Sequence, residues 1–98
     1  MTTITMVKKI NADGSACKKC DEVDAKMRAA GHFKLIDRVV YAEEQNPSSE
    51  GMIFSAMYGV EHAPFFIVEH DGGEPVIYTV YLEFVKKVLN ASMSEGKD

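Results

Sequence analysis

Two cysteines, Cys17 and Cys20, are separated by two lysines and carry the clearest chemistry in this sequence. Thiol–disulfide exchange needs one thiolate that attacks a disulfide and a second thiol close enough to resolve the mixed disulfide. Two intervening residues bring both sulfurs within bonding reach when they form the first turn of a helix. A disulfide across so short a loop adds little stability, so the pair is predicted to be a functional dithiol in a reducing compartment.

The residues that follow predict that the pair lies at the start of a helix. From Cys20, apolar residues recur at Val23 and Met27, which is typical of one face of a helix, and Gly31 is well placed to end it. A helix N-terminus carries unpaired N–H groups and about half a positive charge, which stabilise a thiolate. Cys17 is nearer this end and is predicted to be the nucleophile, with Cys20, one turn deeper, as the resolving thiol.

Charged residues surround both sulfurs. Lys18 and Lys19 place a basic spot on a molecule of formal net charge −4, and they are predicted to bind the substrate. The lysines also favour the thiolate, whereas Asp21, Glu22 and Asp24 oppose ionisation of both thiols. The pattern therefore predicts a moderate stabilisation of the first thiolate.

The composition of the chain limits the classes of protein to which it can belong. Its 98 residues, 46% of them hydrophobic and 27% charged, predict one domain over residues 1–91 and a flexible polar tail at 92–98. The negative net charge argues against sequence-independent binding of nucleic acid, and no apolar run is long enough to span a membrane. No apolar stretch follows a basic start at the N-terminus, so we expect no secretion signal and a cytoplasmic protein.

Hydrophobic periodicity predicts the elements that must position the cysteines. Alternating and β-branched residues predict strands at 4–10, 34–41, 64–69 and 75–78. The turn residues at 71–73 make the last two strands a hairpin, and the first two are predicted to pair in parallel across the first helix.

Two further helices complete the predicted order. The second is predicted to start with Asn46 as its N-cap and to end at Gly59. Its inward apolar face is predicted to carry Met52, Ile53, Ala56 and Met57. Thr79 is predicted to cap the last helix. The order β-α-β-α-β-β-α predicts an α/β fold with a central four-stranded mixed sheet and helices on both faces.

Two features far apart in the chain resemble the thioredoxin/glutaredoxin superfamily. One is the Cys-x-x-Cys directly after the first predicted strand, and the other is Pro64, which opens the third strand. The resemblance covers residues 4–89 and matches the short form that lacks an additional N-terminal strand and helix. It implies a thioredoxin-like fold in which the Ala63–Pro64 peptide bond is cis, lies against Cys17 and helps to bind the substrate.

The resemblance also implies an activity, thiol–disulfide oxidoreduction. Cys17 would attack a substrate disulfide and Cys20 would displace the reduced product. The substrate would be a disulfide-containing protein or a low-molecular-weight thiol, with a reductase or a thiol as electron donor and with no cofactor, metal, nucleic acid or membrane. Two departures stand out: the chain has no tryptophan, and Asn11 stands where many thioredoxins bury an acidic residue.

Two other functions stay open on the sequence. One is a binding or adaptor module that keeps the fold without turnover and recognises partners through the second helix or the Pro64 edge. The other is a metal-binding domain, because Cys-x-x-Cys is half of a zinc site and needs two more ligands. The three histidines, His32, His62 and His70, do not show the spacing of a zinc motif.

Overall fold

Within the part of the chain that the structure describes, four strands and three α-helices follow one another in the predicted order. The computed structural model describes residues 2–89. Its elements are β1 (Thr2–Ile10), α1 (Lys18–Ala29), β2 (Arg38–Glu43), α2 (Glu50–Tyr58), β3 (Phe65–His70), β4 (Val76–Tyr78) and α3 (Tyr81–Phe84). Phe33–Leu35 form a 3₁₀ turn, and Val85–Leu89 continue α3 as a π-helical turn. The tail predicted at 92–98 lies outside the described residues.

The strands form one mixed sheet in the order β2-β1-β3-β4. β1 runs parallel to β2, with Lys8 opposite Tyr41, and antiparallel to β3, with Val7 opposite Phe65. β3 and β4 form an antiparallel hairpin. The prediction of an α/β fold with a four-stranded mixed sheet is confirmed.

Both faces of the sheet are buried because alternate residues along each strand pack against different helices. On one face, α1 and α3 contribute to a cluster of Ile4, Met6, Val23, Met27, Phe66, Val68 and Phe84. On the other, α2 packs against a cluster of Val7, Val40, Ala42, Phe65 and Ile67. Phe66 stacks on Phe84 with ring centroids 4.1 Å apart, which anchors α3. Helices therefore cover both faces, as predicted.

β2 begins at Arg38, not at residue 34 as predicted. The preceding residues 33–35 form the 3₁₀ turn, whose local hydrogen bonds take the chain out of the sheet. Asp37 then donates its N–H to the carbonyl of Ile4 at 2.8 Å, and its carboxylate accepts the Ile4 N–H at 2.7 Å. This two-way contact ties the chain to β1, and the β1–β2 pairing follows directly after it.

α2 begins at Glu50, and the prediction of Asn46 as its N-cap is wrong. Asn46 closes a turn, and its carbonyl accepts both the N–H of Ser49, at 3.0 Å, and the Ser49 hydroxyl, at 2.8 Å. The buried Ser49 Oγ also accepts the N–H of Glu43 at 3.0 Å. Ser49 therefore joins the end of β2 to the first turn of α2.

Close packing at Gly51 sets which face of α2 turns inward. Gly51 is buried, and a Cβ added there would lie 2.6 Å from the Cα of Ala42, so the helix backbone rests directly on β2. Ile53 and Met57 point to solvent and are 47% and 62% exposed, which contradicts the predicted inward face. The residues that pack on the sheet are Met52, Phe54 and Tyr58.

α3 starts one residue later than predicted. Its N-cap is Val80, which has an extended backbone, and not Thr79.

Within residues 2–89, we find no helix with both the length and the apolar character needed to cross a membrane.

Candidate functional site

The two cysteines lie where β1 ends and α1 begins. The connecting turn folds back on the strand through a β-bridge between Ile10 and Ala16, and Gly14 supplies the positive φ of 87° in this turn. The N–H of Cys17 then donates to the carbonyl of Lys9 at 3.3 Å. The helix therefore starts directly beside the end of the central strand.

Cys17 is the N-cap of α1. Its backbone is extended, with φ −69° and ψ 119°, and its Sγ accepts the N–H of Cys20 at 3.3 Å. Its carbonyl accepts the N–H of Asp21 at 3.1 Å, the first hydrogen bond of the helix. The side chain is half-buried and is a free thiol. A sulfur in this position receives an N–H that would otherwise be unpaired at the helix start.

Cys20 lies one turn deeper and is only 1% exposed. Its Sγ accepts the N–H of Lys9 at 3.4 Å. Burial, followed by the hydrogen bond with Cys17, raises the pKa of the Cys20 thiol to about 12, while the Lys9 N–H and the charge of Lys8 act in the opposite direction. Cys20 is therefore a protonated thiol at neutral pH.

Both cysteines open on one shallow cavity of about 200 Å³, which we call the dithiol cavity. It is lined by the end of β1, the first turn of α1 and Tyr41 of β2. Cys17 and Cys20 thus share a solvent-accessible space in which a substrate sulfur can reach the more exposed of the two.

An ion pair between Lys8 and Asp24 borders this cavity. The Nζ of Lys8 lies 3.0 Å from Oδ2 of Asp24, and both side chains are 14% exposed. Burial lowers the pKa of Lys8, but the hydrogen bond and charge of Asp24 outweigh it and leave the pKa raised. Burial likewise acts to raise the pKa of Asp24, but hydrogen bonds from Arg28 and Lys8 hold it below its ordinary value.

The predicted substrate-binding residues divide between two places. Lys18 and Lys19 are exposed in the first turn of α1, between the two cysteines. The Ala63–Pro64 peptide bond is cis, as the resemblance implied, and Pro64 is buried. It precedes the β3 residue that pairs with Val7, so it lies at the end of the sheet that holds the cysteines. Its contact with Cys17 stays a prediction.

Ala63 lines a second, larger depression of about 550 Å³, which we call the α2 groove. The groove runs between α2 and the ends of β1 and β2, and it includes Met52, Val60 and His62. Lys9 lines both the groove and the dithiol cavity. The two depressions therefore adjoin at the end of β1.

Sequence reasoning missed the residues of β1 and β2 that surround the cysteines, namely Lys8, Lys9 and Tyr41. It treated Asp24 only as a negative charge that opposes thiol ionisation. One signal was available: Asp24 is four residues after Cys20 and therefore on the same helix face, and a strand that ends just before that helix must lie beside it.

Among residues 2–89, no three side chains of His, Cys, Asp or Glu lie close enough together to hold a metal ion.

Comparison of the chain with protein-family models, with curated proteins and with solved structures found no significant match.

Proposed function

We propose that this protein is a thiol–disulfide oxidoreductase with a thioredoxin-like fold, acting through Cys17 and Cys20 in a reducing compartment such as the cytoplasm. One observation carries the proposal: a half-buried cysteine caps a helix and accepts the N–H of a buried cysteine one turn away, at 3.3 Å. The strand order β2-β1-β3-β4, with helices on both faces, supports the fold assignment.

The proposed reaction has two exchange steps. The Cys17 thiolate attacks one sulfur of a substrate disulfide, a bond forms between them, and the other substrate sulfur leaves and takes up a proton. Cys20 then loses its proton and attacks Cys17, the bond from Cys17 to the substrate breaks, and the second substrate sulfur leaves as a thiol. The protein dithiol gives up two electrons and two protons to the substrate, and an external thiol or reductase restores it.

Each chemical role follows from burial and position. Cys17 is reached first because it is half-exposed at the helix start, whereas the buried Cys20 meets a disulfide only after one has formed on its neighbour. Lys18 and Lys19 are exposed between the two cysteines in the chain, and their positive charge favours substrates with acidic groups near the disulfide. The substrate is a disulfide-containing protein or a low-molecular-weight disulfide.

Trapping with glutathione disulfide tests the proposal. Cys20→Ser removes the resolving thiol, so we expect one covalent glutathione adduct per chain in intact mass spectrometry, located on Cys17. Cys17→Ser is the matched control and should form no adduct in the folded state, because the remaining sulfur is 1% exposed. The wild-type protein should lose two hydrogens and retain no glutathione. Equal labelling of both variants would contradict the assignment of roles.

A second candidate, a binding or adaptor module, is favoured by the α2 groove. Its apolar lining includes Met52 and Val60, and Met57 nearby is 62% exposed. Reduction of insulin by dithiothreitol separates the two functions. An oxidoreductase accelerates the reaction and loses this effect on Cys17→Ser substitution, whereas an adaptor gives no acceleration in either form.

A further inference from the structure

The Lys8–Asp24 ion pair is the most buried ion pair described within residues 2–89 and takes no part in the exchange steps above. Both of its side chains are 14% exposed, while each of the other pairs has at least one side chain that is 40% exposed or more. Removing two charges from water is unfavourable, and a buried pair is weak evidence of a stabilising role. Its position is informative, because Lys8 lines the dithiol cavity together with both cysteines.

The charges around Cys20 come from three elements. The titratable groups near Lys8 and Cys20 are Lys9 on β1, Tyr41 on β2 and four residues at the start of α1 or along it, Cys17, Asp21, Asp24 and Arg28. Asp24 pairs with both Lys8 and Arg28, so two cations share this carboxylate, while the charge of Asp21 also acts on Lys8. The Lys8 ammonium also lies 5.9 Å from the centre of the Tyr41 ring.

We propose that Lys8, held in place by Asp24, is a positioning residue that stabilises the thiolate of Cys20 as it attacks the mixed disulfide on Cys17. This inference rests on the proposed thiol–disulfide exchange. In that step Cys20 releases its proton to solvent, its sulfur bonds to Cys17, and the bond from Cys17 to the substrate sulfur breaks. The departing thiolate takes up a proton, so no external oxidant or reductant enters the step.

The burial of Cys20 creates the need for such a cation. Its pKa of about 12 leaves very little thiolate at neutral pH, and the charge of Lys8 is one of two influences that lower it, beside the Lys9 N–H. Asp24 is a poor proton acceptor, because Arg28 and Lys8 hold its own pKa low. The pair therefore acts through the field of its ammonium group and not by taking the proton.

The symmetrical disulfide of thionitrobenzoate separates the two steps in one experiment. The first equivalent of thionitrobenzoate released reports the attack by Cys17, and the second reports the attack by Cys20. Lys8→Gln removes the charge and keeps a donor for Asp24. We expect the second phase to slow about tenfold at neutral pH and its pH profile to move up by about one unit, with a smaller change in the first phase.

Two further variants distinguish charge from packing. Lys8→Arg keeps the cation and should restore the second phase to within about threefold of wild type. Lys26→Gln removes an exposed charge from α1 and should leave both phases unchanged. Lys8→Met serves as a second neutral variant if Lys8→Gln does not fold, as judged by circular dichroism.

The outcomes separate this inference from the function on which it rests. If the wild-type protein releases only one equivalent, the dithiol reaction itself fails. If it releases two and the neutral Lys8 variants keep a wild-type second phase at every pH, the role of Lys8 is overturned. Equal slowing by Lys8→Gln and Lys8→Arg also overturns it, because the effect would then come from packing and not from charge.

Discussion

The backbone N–H of Lys9 donates to the buried Sγ of Cys20 at 3.4 Å. The carbonyl of the same residue accepts the N–H of Cys17 at 3.3 Å. A single peptide segment at the end of β1 therefore holds both cysteines, one through its sulfur and the other through its backbone. The side chain of Lys9 is not needed for either contact, and the difference between the two thiols comes from their depth in the fold.

That difference predicts selective alkylation. At neutral pH, iodoacetamide should modify Cys17 at least about tenfold faster than Cys20, because Cys17 is half-exposed whereas Cys20 is buried and protonated. Tryptic cleavage after Lys18 or Lys19 places the two cysteines on separate peptides, so mass spectrometry reads each rate. In denaturing urea the two rates should converge. Equal rates in the folded protein would rule out the proposed asymmetry.

The stability of the reduced protein should fall at alkaline pH because of Cys20. The ordinary pKa of its thiol is 9.0, which applies to the unfolded chain, whereas folding raises the pKa to about 12. Between these values the unfolded chain has released a proton that the folded protein retains. Stability is therefore complete below pH 9 and falls by up to about 1.4 kcal/mol per pH unit until the folded thiol ionises. Urea unfolding under reducing conditions measures this slope.

Cys20→Ala is the control for the alkaline slope. It lacks the buried thiol but keeps the other alkaline groups, among them Lys8 and Tyr81, both of which have raised pKa values. We expect it to be about 1 kcal/mol less stable near neutral pH, because it leaves a small cavity, and to show a flatter decline. If stability falls with pH equally steeply in Cys20→Ala and in the wild-type protein, the Cys20 thiol is not the cause of the alkaline loss of stability.

Gly51→Ala should destabilise the protein by roughly 3 kcal/mol, because a methyl group there would collide with the backbone of Ala42. The same change at an exposed helix position usually stabilises by up to about 1 kcal/mol. Gly59→Ala provides a comparison: the site is open but has φ 66°, so we expect a smaller loss of about 1 kcal/mol. Thermal unfolding that ranks Gly51→Ala as the milder variant would contradict the packing argument.

Ser49→Ala should lower the free energy of unfolding by about 1 kcal/mol, because it removes the part-buried hydrogen bond in which the Ser49 hydroxyl accepts the N–H of Glu43. The adjacent Ser48→Ala is the matched control. Ser48 is exposed, so its loss should change stability by less than about 0.5 kcal/mol. Urea unfolding of both variants tests the contrast, and equal stabilities would show that the Ser49 hydroxyl does not join β2 to α2.

Local sequence patterns were sufficient to predict the order of the strands and helices and the position of the two cysteines at the start of α1. Alternation in β1 and β3 and the recurrence of apolar residues after Cys20 depend only on the period of each element, so they can be read locally. The sequence therefore determined the mixed α/β architecture, the start of α1 beside the cysteines, and the burial of Cys20 on its apolar face.

Contacts between distant residues decided the rest. The start of β2 depends on the Asp37–Ile4 contact, the inward face of α2 depends on Gly51 against Ala42, and Lys8 meets Asp24 only when α1 packs on β1. None of these contacts produces a periodic pattern in the sequence, because each joins residues that are distant in the chain and meet only in the folded protein. The surroundings of the two thiols are for this reason a property of the tertiary structure.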